Sequence, residues 1–176
     1  VGAFIAGILD HLPALCAATI PSKNSYRRIR PHFWAGAFRS WGTQNREAAV
    51  RVCKNREGNL VKRIEYKISD ASANPYIALG CLIAAGLDGL ERNLKLPREV
   101  TLDPGLIPES DRHASGIDLL PQNLGESIDA LRKDRVLLEA LGAPLATSFI
   151  AVRQNEWEAL KDLSLEEEVN MLVERY

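Results

Sequence analysis

A chain of 176 residues is long enough to bury one hydrophobic core, and a composition of 46% hydrophobic and 26% charged residues excludes a disordered chain. The formal net charge of −1 hides an asymmetry: the stretch from Lys23 to Arg63 holds eleven basic and two acidic residues, whereas the remainder holds eleven basic and twenty-one acidic residues. A concentrated basic stretch is a candidate site for a polyanion, and a solvated basic face is the alternative.

The N-terminal segment predicts one helix from Phe4 to Thr19, which Pro21 ends. Asp10 and Pro13 interrupt its apolar run, and no basic segment precedes it, which argues against a secretory signal peptide. Because the chain begins with Val rather than Met, just before this helix, we expect a piece of a longer protein. We expect that protein to be cytoplasmic and to have no membrane partner.

The cysteines and histidines show no metal-ligand spacing. We expect His11 and His113 to be structural or solvated. His32 lies in an arginine-rich loop, near a site for substrate, but a loop histidine is more often simply exposed. Three cysteines are expected to be buried thiols in a reducing compartment: Cys16, Cys53 and Cys81.

The middle of the chain predicts a β-hairpin. Residues Asn24–Thr43 carry scattered aromatic residues without a clear period and are expected to be mostly irregular. Two apolar-alternating runs follow, Glu47–Lys54 and Leu60–Ile68, and the NREGN segment between them contains a turn-forming glycine. These runs predict two antiparallel strands.

Helices dominate the rest of the chain. Asn74 followed by Pro75 predicts the start of a helix over the run YIALGCLIAAGLDGLERNL, whose small residues suit close packing. A proline-punctuated loop leads to four further helices, the last capped by Ser164. Their predicted bounds are Leu124–Lys133, Arg135–Leu141, Leu145–Leu160 and Leu165–Arg175. The predicted fold class is therefore α+β, helix-rich, with an antiparallel hairpin that belongs to a larger sheet.

Alternation along the second strand of the hairpin indicates a specific site. Arg63, Glu65 and Lys67 share one face of the strand, with about 6–7 Å between neighbours. A carboxylate between two cations can hold a divalent metal with anionic ligands on either side. Arg51 on the partner strand adds a cation, and Arg46 faces the same way only if it lies in the loop before that strand. The alternative is a surface ion-pair ladder of Arg51, Glu65 and Arg63, which would contribute little.

Four motifs occur in order along the chain: NSYRR at 24–28, NREAAVRV at 45–52, RIEYK at 63–67 and ANPYIALGCLIAAGLDGL at 73–90. Together they strongly resemble the C-terminal half of the glutamine synthetase catalytic domain, and the resemblance covers the whole chain. It implies an ATP-dependent ligase that forms a γ-glutamyl amide from glutamate and ammonia or another amine through γ-glutamyl phosphate. It also implies ATP and Mg²⁺ or Mn²⁺ as cofactors, and a homo-oligomer.

The resemblance implies roles for the matching residues. Arg28 corresponds to the contact to the substrate carboxylate. Arg46 and Arg51 correspond to arginines that hold the ATP phosphates and stabilise the transferring γ-phosphoryl group, and Arg63 corresponds to a further nucleotide-phosphate arginine. Glu65 corresponds to a ligand of the divalent metal. These roles suit phosphoryl transfer to a carboxylate, because cations must neutralise the repulsion between two anions.

Two positions depart from the family pattern. Trp34 replaces an acidic residue that covers the active site and helps to deprotonate the incoming ammonium. An indole can instead pack against the apolar body of an amine or against the face of a cation. Lys67 replaces an arginine for the substrate carboxylate and keeps the charge without the planar fork. The sequence around Trp34 resembles that of the glutamine synthetase-like branch of cyanobacteria and of nodulin- and fluG-like proteins.

Two parts of the family's enzyme are expected to lie outside this sequence. These are the upstream metal ligands and the N-terminal β-grasp domain, which completes each site across a subunit boundary. We therefore expect residues 1–176 to be the C-terminal part of a catalytic domain and to show no turnover alone. The alternative function is a catalytically weakened protein for nucleotide or amino-acid sensing or for scaffolding. Nucleic-acid binding is disfavoured, because the basic stretch lacks a stacking platform and a recognition helix.

Overall fold

A three-stranded sheet and eight α-helices make up the part of the chain that this computed structural model describes, residues 1–58 and 60–173. The helices are α1 Gly2–Asp10, α2 Leu12–Thr19, α3 Pro75–Glu91, α4 Glu109–Ala114, α5 Leu124–Lys133, α6 Arg135–Leu141, α7 Ala143–Leu160 and α8 Leu165–Leu172. The strands are β1 Phe38–Thr43, β2 Ala48–Lys54 and β3 Val61–Tyr66. The helix-rich α+β class is confirmed.

The sheet confirms the hairpin and adds a strand that the sequence did not predict. β2 and β3 pair antiparallel, with Arg51 opposite Glu65. One residue of the predicted turn, Asn59, lies outside the described residues. β1 pairs parallel with β2, so the expectation of an irregular segment was wrong for Phe38–Thr43. Phe38, Trp41 and Thr43 favour a strand, but the segment lacks the apolar alternation that marks one, and pairing with β2 fixes the strand.

The connection from β1 to β2 is unusually short for parallel strands. Parallel neighbours normally need a crossover of about a dozen or more residues, whereas residues 44–47 suffice here. Gln44 reverses the chain with a positive φ of 56°. The side-chain amide of Asn45 then donates to the carbonyl oxygens of Val100 and Leu102, at 2.8 Å each. Arg46 therefore lies in the loop before β2, which is the condition for it to face the same way as Arg51.

The predicted N-terminal helix is broken, and this prediction was wrong. α1 and α2 meet at His11 and are bent by 75°. Pro13 lies in the first turn of α2, where its missing N–H costs nothing, whereas inside one continuous helix its ring would clash with the carbonyl of Leu9. The break is therefore the expected response of a helix to this proline.

The later helices follow the predictions closely. Asn74 caps α3 by accepting from the N–H groups of Tyr76 and Ile77. Ser164 and Glu167 form the capping box of α8. The predicted end of that helix, Arg175, lies outside the described residues, and the described part is helical to Leu172. The short helix α4 was not predicted.

The core forms where α1 packs on α3 and α2 packs on α5. Glycines allow the first of these crossings: a β-carbon on Gly7 would lie 2.1 Å from the carbonyl oxygen of Ala85. All three cysteines are buried free thiols, as predicted. Within the described residues, no single helix is long and apolar enough to cross a membrane, and two bent helix pairs reach that length and composition only when taken together.

Candidate functional site

The predicted face of the hairpin is built around one carboxylate. Oε2 of Glu65 on β3 lies 2.6 Å from Nη2 of Arg51 on the neighbouring strand β2. Its other oxygen accepts from Nε and Nη2 of Arg63, two residues away on the same strand, at 3.0 and 2.9 Å. Two guanidinium groups therefore hold one carboxylate. This is the arrangement of the predicted ion-pair ladder.

The electrostatics of this cluster fix its charge state. Hydrogen bonds from Arg51, and then from Arg63, lower the pKa of the Glu65 carboxyl to about 2. The bond from Glu65 in turn raises the pKa of Arg51. Arg63 is 63% exposed, whereas Arg51 is 18% exposed. At neutral pH the cluster of two guanidinium groups and one carboxylate carries a net positive charge, and the guanidinium of Arg63 is the more accessible to an anion.

Glu65 fits one ligand of a divalent cation, because an ionised carboxylate supplies the hard oxygen that Mg²⁺ and Mn²⁺ prefer. It does not complete a site by itself. In residues 1–58 and 60–173, the one cluster of three or more close metal-ligating groups is formed by Asp10, His11 and Asp88, away from the hairpin. Further ligands at Glu65 would have to come from a bound phosphate or from polypeptide beyond these residues.

Arg28 lies beyond the end of β3 and faces a cavity. Its guanidinium donates to the carbonyl oxygens of Lys67, at 3.5 Å, and Ile68. The cavity has a volume of about 650 Å³ and is bounded by the 3₁₀ turn Lys23–Arg27, the turn at 70–72 and α8. The Lys67 backbone continues the sheet by donating to the carbonyl oxygen of Ala49. Its side chain has no partner among the residues described.

Trp34, in the loop before β1, meets Arg46, in the loop before β2. Trp34 has a φ of 54°, and its side chain is 64% exposed. The guanidinium carbon of Arg46 lies 5.9 Å from the centroid of the indole ring. The backbone N–H of Trp34 donates to Oε1 of Glu47 at 3.0 Å. Glu47 is a buried carboxylate that was not among the predicted site residues, although it is one of only two acids in the basic stretch.

The three histidines have different surroundings. His11 is buried and bridges Oδ2 of Asp134 and Oδ2 of Asp88, at 2.6 and 2.9 Å. Burial opposes its charged form, but the two carboxylates outweigh that effect and raise the pKa of His11 to about 9. His113 is exposed, which agrees with the expectation that it is structural or solvated. His32 is exposed and bonds Asp103 at 2.6 Å.

The structure thus assembles the predicted residues in three groups. Arg51, Glu65 and Arg63 are in direct contact, and Arg46 lies over Trp34. Arg28 is joined to the end of β3 through backbone atoms. Within the described residues, no hydrogen bond or ion pair links the side chains of one group to those of another.

Comparisons with a family model and with curated proteins point to the same family. The family model for the glutamine synthetase catalytic domain matches residues 1–172. Over 162 residues the chain is 47% identical to the γ-glutamylpolyamine synthetase GlnA3 of Streptomyces coelicolor, covering 91% of this chain and 35% of that protein. Over 155 residues it is 41% identical to the glutamine synthetase of Thermococcus kodakarensis, covering 88% of this chain and 34% of that protein.

Solved structures give the same result. A complex of GmaS with ADP superposes with a TM-score of 0.78 at 29% identity, over 98% of this chain and 39% of that one. A glutamine synthase homolog also gives a TM-score of 0.78, at 33% identity, over 99% of this chain and 38% of that one. The chain spans about a third of the length of the curated relatives it matches.

Proposed function

The chain belongs to the glutamine synthetase family, and from this premise we propose that it is the C-terminal part of the catalytic domain of an ATP-dependent γ-glutamyl ligase. The ligase activates glutamate as γ-glutamyl phosphate and transfers the glutamyl group to ammonia or another amine. The names of the relatives, glutamine synthetase and γ-glutamylpolyamine synthetase, support this reaction class. With Trp34 at the loop tip, we favour an amine larger than ammonia.

The observation that carries the proposal is the contact of Arg51 and Arg63 with Glu65 on adjacent strands. Phosphoryl transfer requires cations that surround a transferring phosphoryl group and a carboxylate that holds a metal beside it. Here all three groups lie on one sheet face within hydrogen-bonding distance. In a productive complex the guanidinium groups exchange the carboxylate for phosphate oxygens, which they bind with the same fork geometry.

Each remaining residue has a role in this proposal. Arg46, in the loop before β2, stabilises charge on the transferring phosphoryl group. Arg28 and Lys67 bind a carboxylate of the amino-acid substrate near the end of β3. Glu65 holds one coordination position of Mg²⁺ or Mn²⁺, and such an ion, when bound, polarises the phosphoryl oxygens as a Lewis acid.

A chimera tests the proposal, because the matched relatives contain a further two-thirds of polypeptide. In it, this chain replaces the stretch of GlnA3 that it matches. We expect the chimera to release ADP in a manner that depends on glutamate and an amine, and the 176-residue chain alone to release none. Turnover by the chain alone would contradict the domain assignment. A folded but silent chimera, beside active GlnA3, would contradict the ligase assignment.

Arginine variants of the same chimera test the site. Arg51→Lys keeps the charge but loses the fork, and we expect kcat to fall about 100-fold or more, as when a transition-state donor is lost. Arg56→Ala is the matched control, because Arg56 is an exposed arginine in the turn of the same hairpin. Equal activity of the two variants would remove Arg51 from the phosphoryl site. Nucleotide binding without turnover in every variant would favour the sensing function.

A further inference from the structure

One face of α3 is apolar and exposed along almost the whole helix. Five large side chains, each between 44% and 87% exposed, form this α3 stripe: Tyr76, Leu79, Ile83, Leu87 and Leu90. They lie within an arc of about 80° around the helix axis and extend over about 20 Å. The opposite face of α3 is also apolar and lies in the core. A helix that is apolar all round is typical of a helix that is buried on every side.

The α3 stripe lacks the polar residues that a solvent-facing helix carries. α3 has two charged residues, Asp88 and Glu91, both in its last turn, and Asp88 bonds His11. α7 provides the contrast, because the exposed Val152 on that helix has the exposed and polar Asn155 one turn away. Monomeric proteins rarely expose a contiguous apolar patch of more than a few hundred Å². The stripe therefore indicates a permanent interface.

The beginning of the chain lies beside the C-terminal end of the same helix. A β-carbon on Gly89 would lie 2.2 Å from the carbonyl oxygen of Ala3, and one on Gly2 would lie 3.7 Å from Cβ of Leu96. Polypeptide that precedes Val1 in a longer protein would therefore enter near the C-terminal end of the stripe. The curated relatives carry a further two-thirds of polypeptide, which is ample to cover it.

We propose that the α3 stripe is the docking surface for the polypeptide that precedes Val1 in the full-length protein, and that this polypeptide covers the stripe with an uncharged apolar face. The inference rests on the proposed function only for the assignment of the chain to part of a longer catalytic domain.

A second copy of this chain is the competing occupant of the stripe. Pairing two stripes would bury on the order of 1,000 Å², which is below the roughly 1,200–2,000 Å² of stable interfaces. Docking within one polypeptide needs less area, because it avoids the loss of translational and rotational freedom that accompanies the association of two molecules. The size of the stripe thus favours an occupant from the same polypeptide.

Cysteine labelling tests the proposal, because the three native cysteines are buried. Leu79→Cys and Leu87→Cys place a thiol at two points of the stripe, and Val152→Cys on α7 is the control at an exposed apolar position. We expect a maleimide to label all three variants of the 176-residue chain at similar rates. In the GlnA3 chimera both stripe positions should react about tenfold more slowly or less, since labelling then requires local opening, and Val152→Cys should react as before. The unsubstituted proteins give the background from other cysteines.

Three results would overturn the proposal. One is equal labelling of the stripe in the isolated chain and in the chimera. Another is an equal loss of labelling at Val152→Cys, which would show general shielding. The third is slow labelling of the stripe in the isolated chain together with a dimer in sedimentation, which would make a second copy the occupant.

If the chimera does not fold, co-expression of this chain with the remaining two-thirds of GlnA3 carries the test. The two pieces should copurify, and Leu87→Glu should abolish copurification because it buries a charge in an apolar contact, whereas Val152→Glu should not. Absence of copurification for the unsubstituted chain, or equal copurification of Leu87→Glu, would overturn the proposal. Failures of the two proposals are distinguishable. A protected stripe in a chimera that does not ligate removes the ligase, whereas ligation by a chimera whose stripe stays reactive removes the docking surface.

Discussion

Arg51 and Glu65 lie directly opposite each other on β2 and β3, and Nη2 of Arg51 is 2.6 Å from Oε2 of Glu65. This pair joins the two strands of the hairpin and the two chemistries of the proposed site, phosphate binding and metal binding. In the structure each group neutralises the other. A nucleotide or a metal ion at the proposed site would therefore compete with an existing ion pair.

Glu65→Gln tests the structural contribution of that pair. We expect the free energy of unfolding at pH 7 to fall by about 1 kcal/mol, since the side chain of Glu65 is 26% exposed and solvent screens the pair. The folded-state pKa of about 2 lies below the ordinary 4.5. The stabilisation is thus present above pH 4.5 and is lost as the pH falls through about 2.

Urea unfolding between pH 7 and pH 2.5 measures this difference. The wild type and Glu65→Gln should converge toward the acid end. Glu57→Gln, in the exposed turn of the same hairpin, is the control and should follow the wild type at all pH values. Parallel curves for wild type and Glu65→Gln would show that the pair does not stabilise the fold.

Strand parity and local caps were readable in the sequence because they depend on near neighbours. The alternation of RIEYK placed Arg63 and Glu65 on one face, and Asn74 marked the start of α3. The partners of His11 lie 77 and 123 residues away, so no local pattern could reveal them. β1 was missed for a similar reason, since its parallel pairing with β2 is a tertiary contact that no alternation within residues 38–43 indicates.

The raised pKa of His11 predicts that the folded chain loses stability at alkaline pH. Its folded-state pKa of about 9 exceeds the ordinary 6.5, so its contribution is fully present below pH 6.5 and is lost as the pH rises through about 9. The shift corresponds to about 3 kcal/mol. We expect the unfolding free energy of the wild type to fall between pH 6.5 and 10, and that of His11→Gln to start lower and fall less. His113→Gln, at an exposed position, should behave as the wild type.

The groups that face His11 define what would contradict this prediction. Asp88 and Asp134 hold the imidazolium, and Arg92 in turn bonds Asp88 and Asp10. Arg92 stays charged throughout this range, so it adds no alkaline transition of its own. An equal slope for wild type and His11→Gln in denaturant titrations would mean that His11 is neutral in the fold.

Trp34→Glu in the GlnA3 chimera tests amine choice. A carboxylate at position 34 can pair with a small, strongly hydrated cation, and loss of the indole removes the surface for an alkyl chain. We expect the ratio of kcat/KM for ammonia to that for butylamine to rise about tenfold or more. Trp41→Phe is the control, because the Trp41 indole donates to the carbonyl oxygen of Pro97 and serves packing. An unchanged ratio in Trp34→Glu would separate Trp34 from amine choice.

Substitution of glycine by alanine should have opposite effects on stability at two positions of α3, Gly80 and Gly89. Gly80 is exposed, and a β-carbon added there would have no neighbouring atom within 4 Å, so Gly80→Ala should stabilise the chain by about 0.5–1 kcal/mol through helix propensity.

A β-carbon on Gly89 would lie 2.2 Å from the carbonyl oxygen of Ala3 and 2.6 Å from Cα of Gly7. Because both contacts are with backbone atoms, α1 would have to move away from α3. Gly89→Ala should therefore destabilise the chain by about 1–3 kcal/mol or more despite the same gain in propensity. Thermal and urea unfolding of the pair measure both effects, and stabilisation by Gly89→Ala would show that α1 does not cross α3 at this distance.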